Sequence, residues 1–485
     1  MSQVDRTEDK PDRGSSPFAA WLVIAAAVSF TLWRSAKGAV ADPEQFDLMT
    51  ATMQGRFLIG FEALWQRSAG NTVDKKYLFR QAKQSLDHNT YAQRLRFVVL
   101  AGEFMGPAEA LEQLRILDDE YRRRRGDPPP DDRETAQLLE RLFILRQRDP
   151  PALDQFVERD RDELRRRLDW FGELALVPEG ANEGDARARF MASALRITVA
   201  FAVVALVMFG LALGGLISFI ALGVLWFLGR LKGGLGTGSA RGAIYAETFA
   251  LYMVSFLGLS KAGRYLLDAF EIRQGTLALS GIVASASLLA LLWPVCRGIP
   301  WHLVCRDIGW TRGRGWGKDA LAGIGGYALA LSMLPLSLIA MTILTKLRDV
   351  LGFGPDEFGP SNAPGHPIVF AVKESAWWVW LEVLFVACIV APVVEETMFR
   401  GVLYRHLREA SSHWKPALSV AFSAVAVSFV FAIIHPQGML AVPALMGLAF
   451  AFALVREWRV SLFPAMVSHS LNNAVTTLML YLMLS

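Results

Sequence analysis

Polar side chains interrupt the apolar carboxyl-terminal part of the chain at three places, all of them after residue 390. In chain order these residues are Glu395, Glu396, Arg400, His435, His469 and Asn473. An ionisable side chain inside a membrane span costs about 2.5–3.5 kcal/mol on the insertion scale, so such a residue usually has a function. These three groups are therefore the first candidates for chemistry.

The first group joins two adjacent carboxylates to an arginine. Adjacent residues of a helix point about 100° apart, so Glu395 and Glu396 face different directions. Glu396 and Arg400 are four residues apart in the order that favours a helical ion pair. This spacing predicts that Glu396 and Arg400 form a structural pair, which leaves Glu395 as a general base.

The other two groups each contain a histidine, His435 at a helix end and His469 together with Asn473 in the last helix. His469 and Asn473 are four residues apart, hence on one face of the last helix, where both side chains need partners. Taken alone, His435 is more often a satisfied polar residue than a catalyst. The face of His469 and Asn473 could equally be a polar seam between membrane helices, which is common. These residues indicate catalysis only because they occur together with the two glutamates.

Together these residues have the parts needed to activate a water molecule. A carboxylate, or a glutamate–histidine pair, takes a proton from water, and a histidine or an asparagine donates a hydrogen bond to the tetrahedral oxygen. Alternatively, Glu395, His435 and His469 are plausible ligands of a divalent metal such as zinc, with a water at the fourth position. The residue pattern leaves both alternatives open and makes no cofactor certain.

The three motifs in this order resemble those of the CPBP family, which comprises CAAX prenyl-protein endopeptidases and bacteriocin-processing enzymes, also called Abi proteins. The matching residues are Glu395-Glu396-x-x-x-Arg400, Phe431-x-x-x-His435 and His469-x-x-x-Asn473. The resemblance covers about 377–485 and implies an intramembrane endopeptidase that acts on a membrane-bound or lipid-modified substrate. It implies that Glu395 and His435 activate the water, and that His469 and Asn473 form the oxyanion site.

Two other functions fit part of the pattern. One is a non-catalytic member of the same fold that serves as an immunity or scaffolding protein, although the complete motif set counts against it. The other is a transporter, because intramembrane carboxylates and histidines also mark ion paths. The polar residues cluster in the last helices and no inverted repeat is visible in the sequence, which counts against transport.

Long apolar segments must position these residues. The chain of 485 residues is 53% hydrophobic, and about 20 apolar residues cross a bilayer as a helix. The sequence predicts an all-α, polytopic transmembrane bundle of about eight or nine spans with an inserted soluble helical domain. The candidate spans are 17–33, 197–228, 243–260, 277–295, 319–345, 377–396, 417–434, 438–455 and 463–484.

The composition further divides the chain into three parts. Residues 17–33 are too long an apolar run for a typical signal peptide, which favours an uncleaved transmembrane anchor. Residues 34–192 are charged and predict a soluble helical domain, and 193–485 predict a polytopic membrane domain with a protease core at about 277–485. Within the soluble domain we predict helices at 45–69, 75–86, 91–100, 108–125, 133–148 and 152–176.

The expected partners follow from this organisation. They are the lipid bilayer, a membrane-embedded or lipidated substrate, and a protein partner of the 34–192 domain, with no nucleic acid. We expect a multi-pass protein of the plasma (inner) membrane.

One geometric conflict concerns the candidate site. If 377–396 and 417–434 each crossed the membrane fully, Glu395 and His435 would end at opposite faces and could share no water. We therefore expect a longer helix, from Trp377 to about Tyr404, which places Glu395 well inside the membrane.

Overall fold

The computed structural model describes residues 17–37, 43–69, 74–148, 152–177, 184–230, 234–235, 241–271, 274–353, 358, 372 and 376–484. All regular secondary structure in these ranges is helical, and strands are absent from them. The predicted all-α, polytopic class is confirmed. By Cα packing the chain divides into two compact units.

The smaller unit comprises Ala41–Leu206, Arg348–Gly365 and Met479–Ser485. Five of its seven described helices begin at a side-chain cap or a proline; Asp74, for example, accepts a hydrogen bond from the backbone N–H of Lys76. They are α2 (Pro43–Ala69), α3 (Lys75–Leu86), α4 (Tyr91–Met105), α5 (Pro107–Arg125), α6 (Pro130–Gln147), α7 (Glu158–Leu168) and α8 (Trp170–Leu176).

The core of this unit is an apolar cluster centred on α4, whose residues are buried along most of its length. Phe143 of α6 and Phe171 of α8 are among the fully buried rings of this core. One helix predicted at 152–176 is instead a 3₁₀ turn followed by α7 and α8, because Asp169 adopts a positive φ of 53° and ends α7. The residue at this break is an aspartate rather than a glycine, so the local sequence pattern did not mark it.

The larger unit comprises Met1–Val40, Val207–Leu347 and His366–Leu478. The chain passes from the smaller unit into it within α9 (Gly184–Phe227), one helix of 44 residues. Its other helices are α1 (Pro17–Lys37), α10 (Ile244–Ala269), α11 (Thr276–Ser285), α12 (Leu292–Cys296), α13 (Trp301–Ile308), α14 (Trp316–Ser332), α15 (Leu334–Val350), α16 (Trp377–Ala410), α17 (Pro416–Ile433), α18 (Val442–Arg459) and α19 (Phe463–Leu484).

Seven helical segments of the described chain are long and apolar enough to cross a membrane. Two of the nine predicted spans, 243–260 and 463–484, form α10 and α19, which are helical but are not among those seven. The serine, histidine, asparagine and threonine residues of α19 lower its mean hydropathy. The run predicted at 197–228 is uninterrupted helix despite its glycines.

The helix that carries both glutamates has the extended length expected of it. Helical structure is continuous over α16, from Trp377 to Ala410, so Glu395 lies in its interior. Two stretches of α16, Val386–Val390 and Glu396–Leu403, are π-helical rather than α-helical. π-turns inside α-helices are rare and occur frequently at functional sites.

Small residues bring α14 and α19 into close contact. A Cβ at Gly323 would lie 2.6 Å from the side chain of Val467 and 2.7 Å from the carbonyl of Pro464. The hydroxyl of Ser468 donates to the Gly323 carbonyl at 2.7 Å. Such small-residue contacts allow membrane helices to approach closely, and here they hold α19, which carries His469, against the bundle.

Candidate active site

Glu395 lies between the two histidines that the sequence singled out. Its Oε2 atom is 3.8 Å from Nε2 of His435 and 3.8 Å from Nε2 of His469. This oxygen is buried and has no hydrogen-bond partner among the described residues. Each separation exceeds a direct hydrogen bond and suits a small molecule held between the groups. The three side chains therefore converge on one point.

The end of α17 sets the orientation of His435. Nδ1 of the imidazole lies 2.6 Å from the carbonyl oxygen of Phe431, one turn earlier in the chain. A carbonyl only accepts hydrogen bonds, so Nδ1 carries the hydrogen and donates it. In the neutral ring, the nitrogen that faces Glu395 consequently has a lone pair available as an acceptor.

A second carboxylate orients His469. Nδ1 of His469 lies 2.8 Å from Oε1 of Glu396, and the same oxygen accepts from Nη1 of Arg400 at 2.8 Å. Glu396 and Arg400 are both fully buried. Both residues belong to the second π-helical stretch, Glu396–Leu403, at whose end the backbone N–H of Tyr404 donates to the Phe399 carbonyl five residues earlier. Glu396 thus connects Arg400 to His469.

Aromatic rings and a backbone carbonyl enclose the Arg400 guanidinium. Its carbon lies 4.5 Å from the ring centroid of Phe431 and 5.5 Å from that of Phe452, and Nη2 donates to the Ala449 carbonyl at 3.2 Å. Cation–π contacts of this kind gain strength when they are desolvated. The ring of His469 stacks on Phe452 with centroids 5.6 Å apart. The same two phenylalanines therefore support both Arg400 and His469.

Asn473 contacts the backbone of α16 rather than the side chains of the other predicted site residues. Its amide donates to the carbonyl of Ala387 at 2.7 Å, and its oxygen accepts from the amide of Asn472. The structure thus brings together Glu395, Glu396, Arg400, His435 and His469, while Asn473 lies one turn along α19 and binds the backbone of α16. The sequence alone gave no sign of this backbone contact.

The possible metal ligands, Glu395, His435 and His469, were tested by their spacing. Ligand atoms of a tetrahedral zinc ion at about 2.0–2.1 Å lie about 3.3 Å from one another. The observed 3.8 Å between Glu395 and each imidazole is wider. Within the part of the chain that the structure describes, three His, Cys, Asp or Glu residues nowhere form a group arranged to hold a metal ion. The residues present do not fit such a site in this arrangement.

Three aromatic residues of the site were not assigned roles from the sequence. Phe431 stacks under Arg400, contacts the His435 ring at a centroid distance of 4.1 Å and supplies the carbonyl that orients it. Phe452 supports Arg400 and His469 from α18. Tyr252 of α10 is 2% exposed, and its ring centroid lies 6.4 Å from that of Phe399, which in turn contacts Phe431 at 5.1 Å. Only Phe431 had a local signal, because it lies one helical turn before His435.

The fold and this site define an integral membrane protein with a cluster of two glutamates and two histidines between its helices. Residues 376–475 match the family model described as type II CAAX prenyl endopeptidase Rce1-like. This segment is a domain of the CPBP family of CAAX-type intramembrane proteases. No curated protein and no solved structure is significantly similar to the chain.

Proposed function

We propose that the chain is an intramembrane endopeptidase in which Glu395 and His435 activate a water molecule and His469 stabilises the tetrahedral oxygen. The observation that supports this most directly is the buried Oε2 of Glu395, which lies 3.8 Å from Nε2 of both imidazoles. A water between these atoms could donate one hydrogen to Glu395 and the other to His435, with hydrogen bonds of about 2.8 Å. Its oxygen would then face the carbonyl of a bound peptide.

In the proposed reaction Glu395 takes the proton as the water oxygen attacks the carbonyl carbon of the peptide bond. The oxygen of that carbonyl becomes negatively charged and needs donors. We propose His469 as the first donor through Nε2–H, in the imidazolium form that Glu396 stabilises at Nδ1. The proton held by Glu395 then passes to the departing amine as the C–N bond breaks.

The charges around the site support a protonated His469. Glu395 and Glu396 contribute two negative charges and Arg400 contributes one positive charge, so a singly protonated imidazole would make the cluster neutral. Buried charges are tolerated when they are paired and hydrogen-bonded, and a net charge in the low-dielectric interior is costly. His469 is the better candidate for this proton because a carboxylate, rather than a carbonyl, accepts from its Nδ1.

Asn473 is the proposed second donor to the tetrahedral oxygen. Its side-chain amide carries two N–H groups, and the contact with Ala387 uses one of them. The substrate in this proposal is a membrane-bound or lipid-modified polypeptide, and the site of action is the plasma (inner) membrane. The soluble domain predicted at 34–192 would bind a protein partner or present the substrate.

Cleavage of transmembrane and lipidated peptides by the purified chain in detergent tests this proposal. Products would be identified by mass spectrometry for the wild type, Glu395→Gln and His435→Ala. Glu382→Gln is the matched carboxylate control, because Glu382 also lies on α16 but accepts from the backbone of α11. His413→Ala is the histidine control, because His413 is exposed.

We expect cleavage by the wild type and both controls, and losses of about 10²–10⁴-fold in the two site variants. Size-exclusion profiles and Tm values would show that all variants are folded. Cleavage that survives Glu395→Gln would contradict the proposed site. Binding of a peptide without cleavage by the wild type would favour the scaffolding alternative.

A further inference from the structure

A proline interrupts the backbone of α16 three residues before Glu395. Pro392 has no N–H group and cannot donate to the preceding turn. In α-helical register a residue at this position would donate to the carbonyl of Cys388, and in π register to that of Ala387. The first π-helical stretch, Val386–Val390, ends two residues before this proline. Pro392 leaves this part of α16 short of a backbone donor.

Both carbonyls accept hydrogen bonds from α19 instead. The hydroxyl of Ser470 donates to Cys388 at 2.6 Å, and the amide of Asn473 donates to Ala387 at 2.7 Å. Ser470 and Asn473 are three residues apart and therefore share a face of α19. In a membrane, where water cannot satisfy a carbonyl, neighbouring helices often supply this compensation.

We propose that Ser470 and Asn473 are positioning residues that replace the donor missing at Pro392 and thereby hold α19 in register with Glu395. Ser470 follows His469 directly, so a hydrogen bond from Ser470 to α16 also fixes where His469 lies along that helix. His469 then meets Glu396 through Nδ1 and faces Glu395 through Nε2.

The match between donors and carbonyls distinguishes this arrangement from a general polar seam. A seam would need only some polar contact between α16 and α19. Here the two acceptors are the two carbonyls that residue 392 would serve in the α and π registers, and each receives one donor. The role of Asn473 in this proposal is structural, and it is independent of any contact between Asn473 and the substrate.

The role of Ser470 and Asn473 in holding α19 against α16 does not depend on the proposed function. Their effect on cleavage does rest on the proposed function. A double-mutant cycle of Ser470→Ala and Pro392→Ala, measured by thermal unfolding in detergent, tests the structural role alone, because unfolding requires no substrate. Alanine at position 392 restores a backbone N–H to α16. The α16 carbonyls then have a backbone donor of their own, so removal of the Ser470 hydroxyl should lower the stability less than it does in the wild type.

We expect Ser470→Ala to lower Tm by about 2–4 °C in the wild type and by clearly less in the Pro392→Ala background. Ser468→Ala is the matched control, since the hydroxyl of Ser468 donates to Gly323 on α14 and has no connection to Pro392. Its effect should be equal in both backgrounds. Equal effects of Ser470→Ala in the two backgrounds would overturn the proposal.

A second comparison remains decisive if Pro392→Ala fails to fold. Ser470→Thr keeps the hydroxyl, so its Tm should return towards the wild-type value, and a Tm as low as that of Ser470→Ala would overturn the proposal. Once a peptide that the wild type cleaves has been identified, Ser470→Ala should lower kcat about tenfold with little change in KM. Ser470→Thr should restore kcat. If the wild type cleaves no peptide, the proposed function fails while the Tm comparisons still decide this inference.

Discussion

Nδ1 of His469 and Nη1 of Arg400 lie 2.8 Å from the same carboxylate oxygen, Oε1 of Glu396. One buried carboxylate thus joins a fully buried arginine to a histidine that faces Glu395. Glu396 and Arg400 belong to α16, whereas His469 belongs to α19, seventy-three positions away from Glu396 in the chain. The ion pair therefore does more than neutralise two charges, because it also orients an imidazole.

This relationship predicts that Glu396→Gln is severely impaired in cleavage. An amide in place of the carboxylate removes the negative charge that stabilises the proposed imidazolium of His469. Loss of the carboxylate that orients a catalytic histidine can lower kcat by about 10⁴-fold, and we expect a loss of about 10²–10⁴-fold here. Single-turnover cleavage of an identified peptide would measure it. Activity near the wild-type level would show that His469 needs no anionic partner.

The same pair predicts a separation of stability from activity. Arg400→Met leaves Glu396 buried with His469 as its one remaining partner among these site residues, and breaking a buried ion pair from one side costs about 3–5 kcal/mol. The double variant Glu396→Gln, Arg400→Met removes both charges, so it should recover much of this loss in Tm while remaining inactive. A double variant as unstable as Arg400→Met alone would contradict the ion-pair assignment.

Phe431 should contribute to both Arg400 and His435. Phe431→Leu removes the ring that lies 4.5 Å from the Arg400 guanidinium and beside the His435 imidazole. We expect a loss of about 1–3 kcal/mol in unfolding free energy, from the cavity and the lost cation–π contact, together with slower cleavage. Phe429→Leu is the control, since Phe429 lies on the same helix and is 45% exposed. Equal effects of the two substitutions would contradict a specific role for Phe431.

Cleavage should withstand removal of divalent metals. The proposed mechanism uses Glu395 as the base for water, and the 3.8 Å separations in the site are wider than those between ligands of tetrahedral zinc. Purified chain treated with EDTA and then exchanged into metal-free buffer should therefore retain its rate. If EDTA inactivates the protein and added zinc restores its activity, Glu395, His435 and His469 would instead be assigned to a metal site.

The contact between α14 and α19 should be sensitive to a single methyl group. Gly323→Ala places a Cβ 2.6 Å from Val467, so the helices must separate, at a cost of about 1–3 kcal/mol. Gly325→Ala is the matched control on the same helix, because a Cβ at Gly325 meets nothing within 4 Å. We expect the control to be neutral or slightly stabilising. Thermal unfolding in detergent would compare the two directly.

The all-helical class and most helices could be predicted from the sequence because their causes are local. Apolar length marks a membrane span, and spacing of three or four residues marks a helix face. The exceptions have equally physical reasons. Asp169 breaks a predicted helix through its own backbone conformation. The predicted spans 243–260 and 463–484 are helical, and the polar residues of α10 and α19 only lower their mean hydropathy below that of the other spans.

The sequence by itself determined which side chains could do chemistry, and it predicted that Glu396 would pair with Arg400, because both facts depend only on residue type and helical spacing. Only the tertiary structure decided that His435 and His469 converge on Glu395, and that Glu396 binds His469. It also decided that Asn473 donates to the carbonyl of Ala387 on α16. These outcomes join residues that are distant in the chain, where helical periodicity carries no information about contact.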